Sequence, residues 1–86
     1  MKTAIIVFLT KTEVFECVDL FARYGLKATT TSTPKEANVG CGLAVKVSAP
    51  SLAAIKRMIA ERGFRGFAGI FVREDRGGRA STYKVG

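Results

Sequence analysis

Six consecutive apolar residues, Ala4-Ile5-Ile6-Val7-Phe8-Leu9, constrain the fold of this chain more than any other feature. The run is too short for an independent helix and far short of the roughly 20 residues of a membrane span. Its branched and aromatic side chains suit a strand. Alternate residues of a strand point to opposite faces. Ala4, Ile6 and Phe8 therefore line one side, and Ile5, Val7 and Leu9 the other. Both sets are apolar, which places the strand at the centre of a sheet.

The rest of the chain, 86 residues in all, has room for one hydrophobic core and no second. Glu13 to Tyr24 carries Val14, Cys17, Val18, Phe21 and Ala22 at helical spacing. Thr10 or Thr12 caps its start, Glu13 and Glu16 suit its first turn, and Gly25 stops it. Lys27 to Thr33 is Thr-rich and reads as an edge strand that Pro34 ends. Pro34 to Gly42 reads as a connecting loop with a short helical turn after the proline. Leu43 to Val47 alternates as a strand. Pro50 and Ser51 open a second helix, Leu52 to Arg62, with Leu52, Ile55 and Ile59 as its stripe, Met58 beside them and Gly63 as its stop. Phe67 to Val72 is the fourth strand, with Phe67 and Phe71 on one face and Ala68, Ile70 and Val72 on the other. Residues 75–86 are expected as a basic tail outside a domain of residues 1–74, with Ser81 to Val85 either a short extra strand or mobile.

The order β-α-β-β-α-β predicts an α+β, ferredoxin-like fold: a four-stranded antiparallel sheet with both helices on one face. Two helices on one face leave the other apolar face of the central strand open. An open apolar face invites a ligand, a partner or a second copy, so a homodimer is expected unless the tail folds over it.

The chain has no His and two Cys. A Ser-His-Asp triad, a Cys-His dyad and a His-ligated metal site are excluded, and two thiols cannot make a four-thiolate site. No metal or cofactor is expected. No signal-peptide pattern follows Met1-Lys2-Thr3, so a cytoplasmic protein is expected. Thiols stay reduced there, and a Cys17–Cys41 bridge is not expected. The net charge of +7 is unevenly placed: five Lys/Arg against four Asp/Glu up to Leu43, then nine against three. Such asymmetry suits an anionic partner: nucleic acid, a phosphorylated small molecule or an acidic protein. Arg65-Gly66-Phe67-Ala68-Gly69-Ile70-Phe71-Val72 has the flavour of an RNA-binding strand, but on the fourth strand rather than the third, and reads as packing.

Cys41 lies in Gly40-Cys41-Gly42, at the end of a loop and the start of a strand. Flanking glycines leave the main chain around the sulfur unshielded, so that amide N–H groups can approach a thiolate or an attached anion. Lys35 is near in sequence and favours the same anionic form. Lys35 and Glu36 are candidates beside the sulfur, with a solvated turn as the plainer reading. Thr10 and Lys11 stand where the first strand hands over to a helix, and a helix N-terminus binds anions; simple capping is the plainer reading. Cys17, between Val14 and Phe21 on the apolar stripe, reads as an inert core residue.

The stretch Thr33-Pro34-Lys35-Glu36-Ala37-Asn38-Val39-Gly40-Cys41-Gly42-Leu43-Ala44-Val45 resembles the signature of the selenium/sulfur carrier-like family of small bacterial and archaeal proteins. That family shows a proline, a basic residue and Glu, a short polar stretch, then Cys-Gly and a small apolar strand. The opening is similar too: an apolar strand ending in Phe8, a hydroxyl-bearing turn at Thr10 and Thr12, then a helix. The resemblance runs roughly from Thr3 to Val72. Val39 and Gly40 depart from the serine-rich residues that precede the cysteine in the family. The resemblance implies a carrier in which Cys41 holds sulfane sulfur or selenium received from a donor protein such as a cysteine desulfurase. Gly40 and Gly42 would give access, Lys35 would favour the anion and Glu36 would orient the loop. The alternative is a non-catalytic small-ligand- or RNA-binding regulatory module that uses the basic surface and the open sheet face. A third reading is an interaction subunit in which Cys41 is incidental.

Overall fold

The computed structural model describes residues 2–48 and 51–86, the side chain of Arg76 excepted. Pro50, expected at the start of the second helix, lies outside these residues. The elements are β1 Lys2–Phe8, α1 Lys11–Arg23, β2 Ala28–Ser32, β3 Leu43–Ser48, α2 Leu52–Arg62, β4 Phe67–Arg76 and β5 Arg79–Lys84. A short 3-10 turn, Lys35–Ala37, lies between β2 and β3. The fold is α+β, with two helices and a five-stranded antiparallel sheet in the order β2-β3-β1-β4-β5.

The expected count of four strands is corrected to five. The turn Gly77-Gly78 has φ of 53° and 83°, the two positive values that a two-residue hairpin with the sheet's own twist requires. It folds Arg79 back onto Arg76, and the ladder runs on to Phe71 opposite Lys84. Residues 75–86 therefore include the end of β4 and all of β5.

β1 sits at the centre, paired with β3 on one side and β4 on the other. Both helices pack on one face. Val14, Cys17 and Phe21 of α1 and Ile55 and Ile59 of α2 meet Ala4, Ile6, Phe8, Val45, Val47 and Ile70 in one cluster. Ala22, expected on the α1 stripe, is instead exposed. Thr10 caps α1 by accepting from the Glu13 amide, and Ser51 caps α2 by accepting from the Ala54 amide. Gly25 ends α1 in a Schellman turn: its N–H donates to Ala22 O, and that of Leu26 donates to Phe21 O, both at 3.0 Å. The strand stops at Phe8, and Leu9 is 56% exposed as the chain turns out to bond Gly66.

The second face is closed, contrary to expectation. Ile5, Val7 and Ala44 are fully buried and Phe71 is 4% exposed within the single chain. They form a second cluster on which Ala37 and Ala68 pack. The cover is the segment between β2 and β3, whose 3-10 turn crosses this face and comes up against β5. Burying an aliphatic or aromatic side chain contributes about 1.5–3 kcal/mol, so β1 gains from both covers. Among the described residues, the apolar face that motivated a second copy is therefore covered.

A bulge in β4 corrects a further expectation. Val7 pairs with Gly69 but Phe8 pairs with Phe67, leaving Ala68 as the extra residue. The slip sends Ala68 to the second face and Phe67 to the helix side, where it meets Phe8 at 6.2 Å between ring centroids. Phe67 and Phe71 thus occupy opposite faces. Gly69 carries the bulge at φ 146°, where an added Cβ would lie 3.3 Å from Lys84 Cε and 3.4 Å from the Phe71 ring. Gly69→Ala is expected to lower stability by about 1–3 kcal/mol, measured by urea unfolding; an unchanged midpoint would show that the bulge is dispensable.

Candidate functional site

The segment that covers the second face also carries Cys41. Its ends are clamped one step beyond the β2–β3 ladder, where the Thr33 amide donates to Gly42 O at 3.1 Å. Within the clamp, Pro34 O accepts from the Ala37 amide and Lys35 O from the Asn38 amide, at 3.1 and 3.2 Å. Asn38, Gly40 and Gly42 then turn the chain with φ of 52°, 115° and 91°. Gly40 is also fixed by space, since a Cβ there would lie 3.0 Å from Val7 Cγ1 and 3.3 Å from Phe8 O. The glycines beside the sulfur are thus required by the path of the chain. One of them seats the segment on β1.

The loop sorts its residues to two sides. Thr33, Pro34, Lys35, Asn38, Val39, Gly40 and Gly42 line an open hollow of about 430 Å³. The Cys41 side chain goes the other way. It is partly buried against the helix-side core, and its S–H donates to Leu43 O at 3.5 Å. Among the described residues no main-chain amide donates to this sulfur. Lys35 and Glu36 are both exposed on the 3-10 turn. Lys35 shares the hollow with Gly40 and Gly42.

Thr10 and Lys11 lie just past the same end of the sheet as Cys41, because Val7 near the end of β1 pairs with Ala44 near the start of β3. The Thr10 hydroxyl accepts from the Glu13 amide at 3.3 Å and donates to Glu13 Oε1 at 2.8 Å, so it is engaged in the cap. Glu13 Oε2 accepts from the Gly66 amide at 2.7 Å, which ties the start of α1 to the entry of β4. Lys11 is exposed.

Thr33 was not singled out from the sequence. Its Oγ1 is buried with no hydrogen-bond partner among the described residues, beside Gly40 at the foot of the hollow. Nothing in a Thr-rich strand marks which hydroxyl will be enclosed; the following Pro34, which buries itself in the fold, is the only local cue.

Cys17 is fully buried beneath α1, and burial pushes its thiol up from 9.0 to about 12. Both cysteines are free thiols. The arrangement holds one thiol sealed in the core and one on a glycine-flanked surface loop. No helix among the described residues is long and apolar enough to cross a membrane.

These features define a small α+β protein with a single accessible cysteine on a clamped loop. A family model described as "Putative Se/S carrier protein-like" matches residues 3–68, most of the chain, and the chain belongs to that family. No curated protein and no solved structure matches it.

Two outcomes follow from the thiols. A small alkylating reagent at about pH 8 should label Cys41 alone in the native protein and both cysteines after unfolding, read by mass spectrometry; native labelling of Cys17 at the rate of Cys41 would contradict its burial. Alkali should also destabilise the protein through Cys17. Between pH 9.0 and about 12 the unfolded chain releases this proton while the folded chain keeps it. Stability should be unaffected by this group below that window and fall through it, by at most about 1.4 kcal/mol per pH unit. Cys17→Ala, compared with its own stability at neutral pH, should show a shallower alkaline decline.

Proposed function

We propose that the chain carries sulfur or selenium on Cys41, in the reducing cytoplasm, on a ferredoxin-like frame extended by one edge strand. The observation that best supports this reading is the contrast between the two thiols, one sealed at 0% exposure and the other partly open between two residues without side chains. Membership of the carrier-like family supports it independently.

In loading, the Cys41 thiolate attacks the outer sulfur of a persulfide held by a donor such as a cysteine desulfurase. A new S–S bond forms at Cys41 Sγ, the donor's S–S bond breaks, and the donor cysteine leaves as a thiolate. In delivery, an acceptor nucleophile attacks that outer sulfur and Cys41 leaves as the thiolate. The bond from Cys41 S–H to Leu43 O holds the resting sulfur and is given up on loading. Gly40 and Gly42 leave a path for the donor. The Lys35 ammonium and the Lys11 and Thr10 end of α1 bring positive potential to that end of the sheet.

The test is persulfide-specific labelling after incubation with a cysteine desulfurase and L-cysteine. Wild type and Cys17→Ala should label, and Cys41→Ser should not. Equal labelling of Cys41→Ser and wild type would end this reading.

A further inference from the structure

The two edges of the sheet are unlike. β5 carries Arg79 and Lys84 at its ends. β2, Ala28-Thr29-Thr30-Thr31-Ser32, is alone among the described strands in having no charged residue. It also contains no proline, and its register with β3 is unbroken from Ala28 opposite Val47 to Ser32 opposite Leu43. No strand among the described residues pairs with its outer side. Charged residues, prolines and bulges are the usual means by which a sheet edge is kept from pairing. β2 has none of them within its length.

The clamp at Thr33 fixes which backbone groups this edge offers. The Thr33 amide donates to Gly42 O in the same register as the ladder. Hydrogen-bonded pairs alternate along an antiparallel ladder. Thr31 and Thr29 therefore bond β3, opposite Ala44 and Lys46, while Ala28, Thr30 and Ser32 direct their main-chain N–H and C=O groups outward.

We propose that β2 pairs with β2 of a second copy, antiparallel about a twofold axis at Thr30, to make one continuous sheet across a homodimer. Such an axis sets Thr30 opposite Thr30 and Ala28 opposite Ser32, the residues whose backbone faces outward. Thr29 then stands opposite Thr31, and cross-strand threonine pairs are favourable. The strand matches its own image, with a small residue at each end and threonine between. Two copies of net charge +7 repel one another, so a surface that meets its own copy must bring no cation against its image. β2 meets that condition. Lys46 lies in the row of Thr29, which continues through Thr31 to Ala44 of the second copy rather than to a second Lys46. β5 does not meet it, since antiparallel self-pairing about its centre sets Arg79 opposite Lys84. A strand of five residues makes a small contact, so the dimer is weak and concentration-dependent.

Sedimentation equilibrium from about 10 μM to about 1 mM chain, in about 500 mM salt to screen the net charge, should show a monomer passing to a dimer. Amide exchange read by NMR should slow by about tenfold or more at Ala28, Thr30 and Ser32 between the ends of that range, and change less at Thr29 and Thr31. Thr30→Lys sets two cations face to face and should stay monomeric throughout. Thr30→Pro removes an outward N–H that β3 does not use and should do the same; if one variant is poorly folded, the other decides. Ser81→Lys, the same charge change on β5, should dimerise as wild type does. A wild type that stays monomeric at the top of the range would overturn the pairing and leave the edge to an extended segment of another protein. A dimer that persists in the folded Thr30 variants, or that forms without protecting Ala28, Thr30 and Ser32, would overturn it in favour of another surface. Mass rising past the dimer, and lost in Ser81→Lys, would overturn it in favour of head-to-tail pairing of β2 with β5. None of these outcomes bears on the loading of Cys41.

Discussion

A central strand that is apolar on both faces must be covered twice, and the structure follows from how this chain does so. The helices cover Ala4, Ile6 and Phe8. No third helix exists to cover Ile5 and Val7 among the described residues. The chain covers them with the irregular segment between β2 and β3, through Ala37 and the backbone at Gly40. An irregular segment cannot satisfy its own backbone as a helix does. It is held instead by the clamp between Thr33 and Gly42 and by bonds within the 3-10 turn.

The same demand sets the position of the Cys41 sulfur. A loop pressed onto β1 at Gly40 must leave the sheet surface at the next residue and rejoin it at Leu43. Cys41 stands on that crest. It is partly buried on the helix side, while its neighbours face the hollow on the other. Cys17 has the same side chain on an apolar helix stripe and is sealed, with its thiol pushed up to about 12 by burial. Two identical side chains thus acquire different surroundings from their place in the packing.

Charge is distributed by the same logic. The carboxylates of the helices serve caps and ion pairs on the helix side of the sheet. Strands β3, β4 and β5 place Lys46, Arg73 and Lys84 on the opposite face. The basic bias of the C-terminal half is therefore concentrated in part on one surface.

The helices, a cap at Thr10 or Thr12, a helix start at Ser51 and the strands expected at Leu43–Val47 and Phe67–Val72 were readable in the sequence, the last falling four residues short of the end of β4 at Arg76, because periodicity, capping and turn residues act locally. The core role of Cys17 was legible for the same reason. Membership of the family was legible through the resemblance that the chain shows to it. Three features were not. The slip at Ala68 that separates Phe67 from Phe71 depends on pairing with β1. The closure of the second face depends on where the 34–42 segment lands once β2 and β3 are paired. The direction of the Cys41 sulfur, away from the hollow and toward Leu43 O, depends on that landing. Local sequence determined which elements form and which thiol lies on a loop. Contacts between residues distant in the chain decided what covers β1 and which way that thiol points, because burial of Ile5 and Val7 is satisfied only by a segment some thirty residues further on.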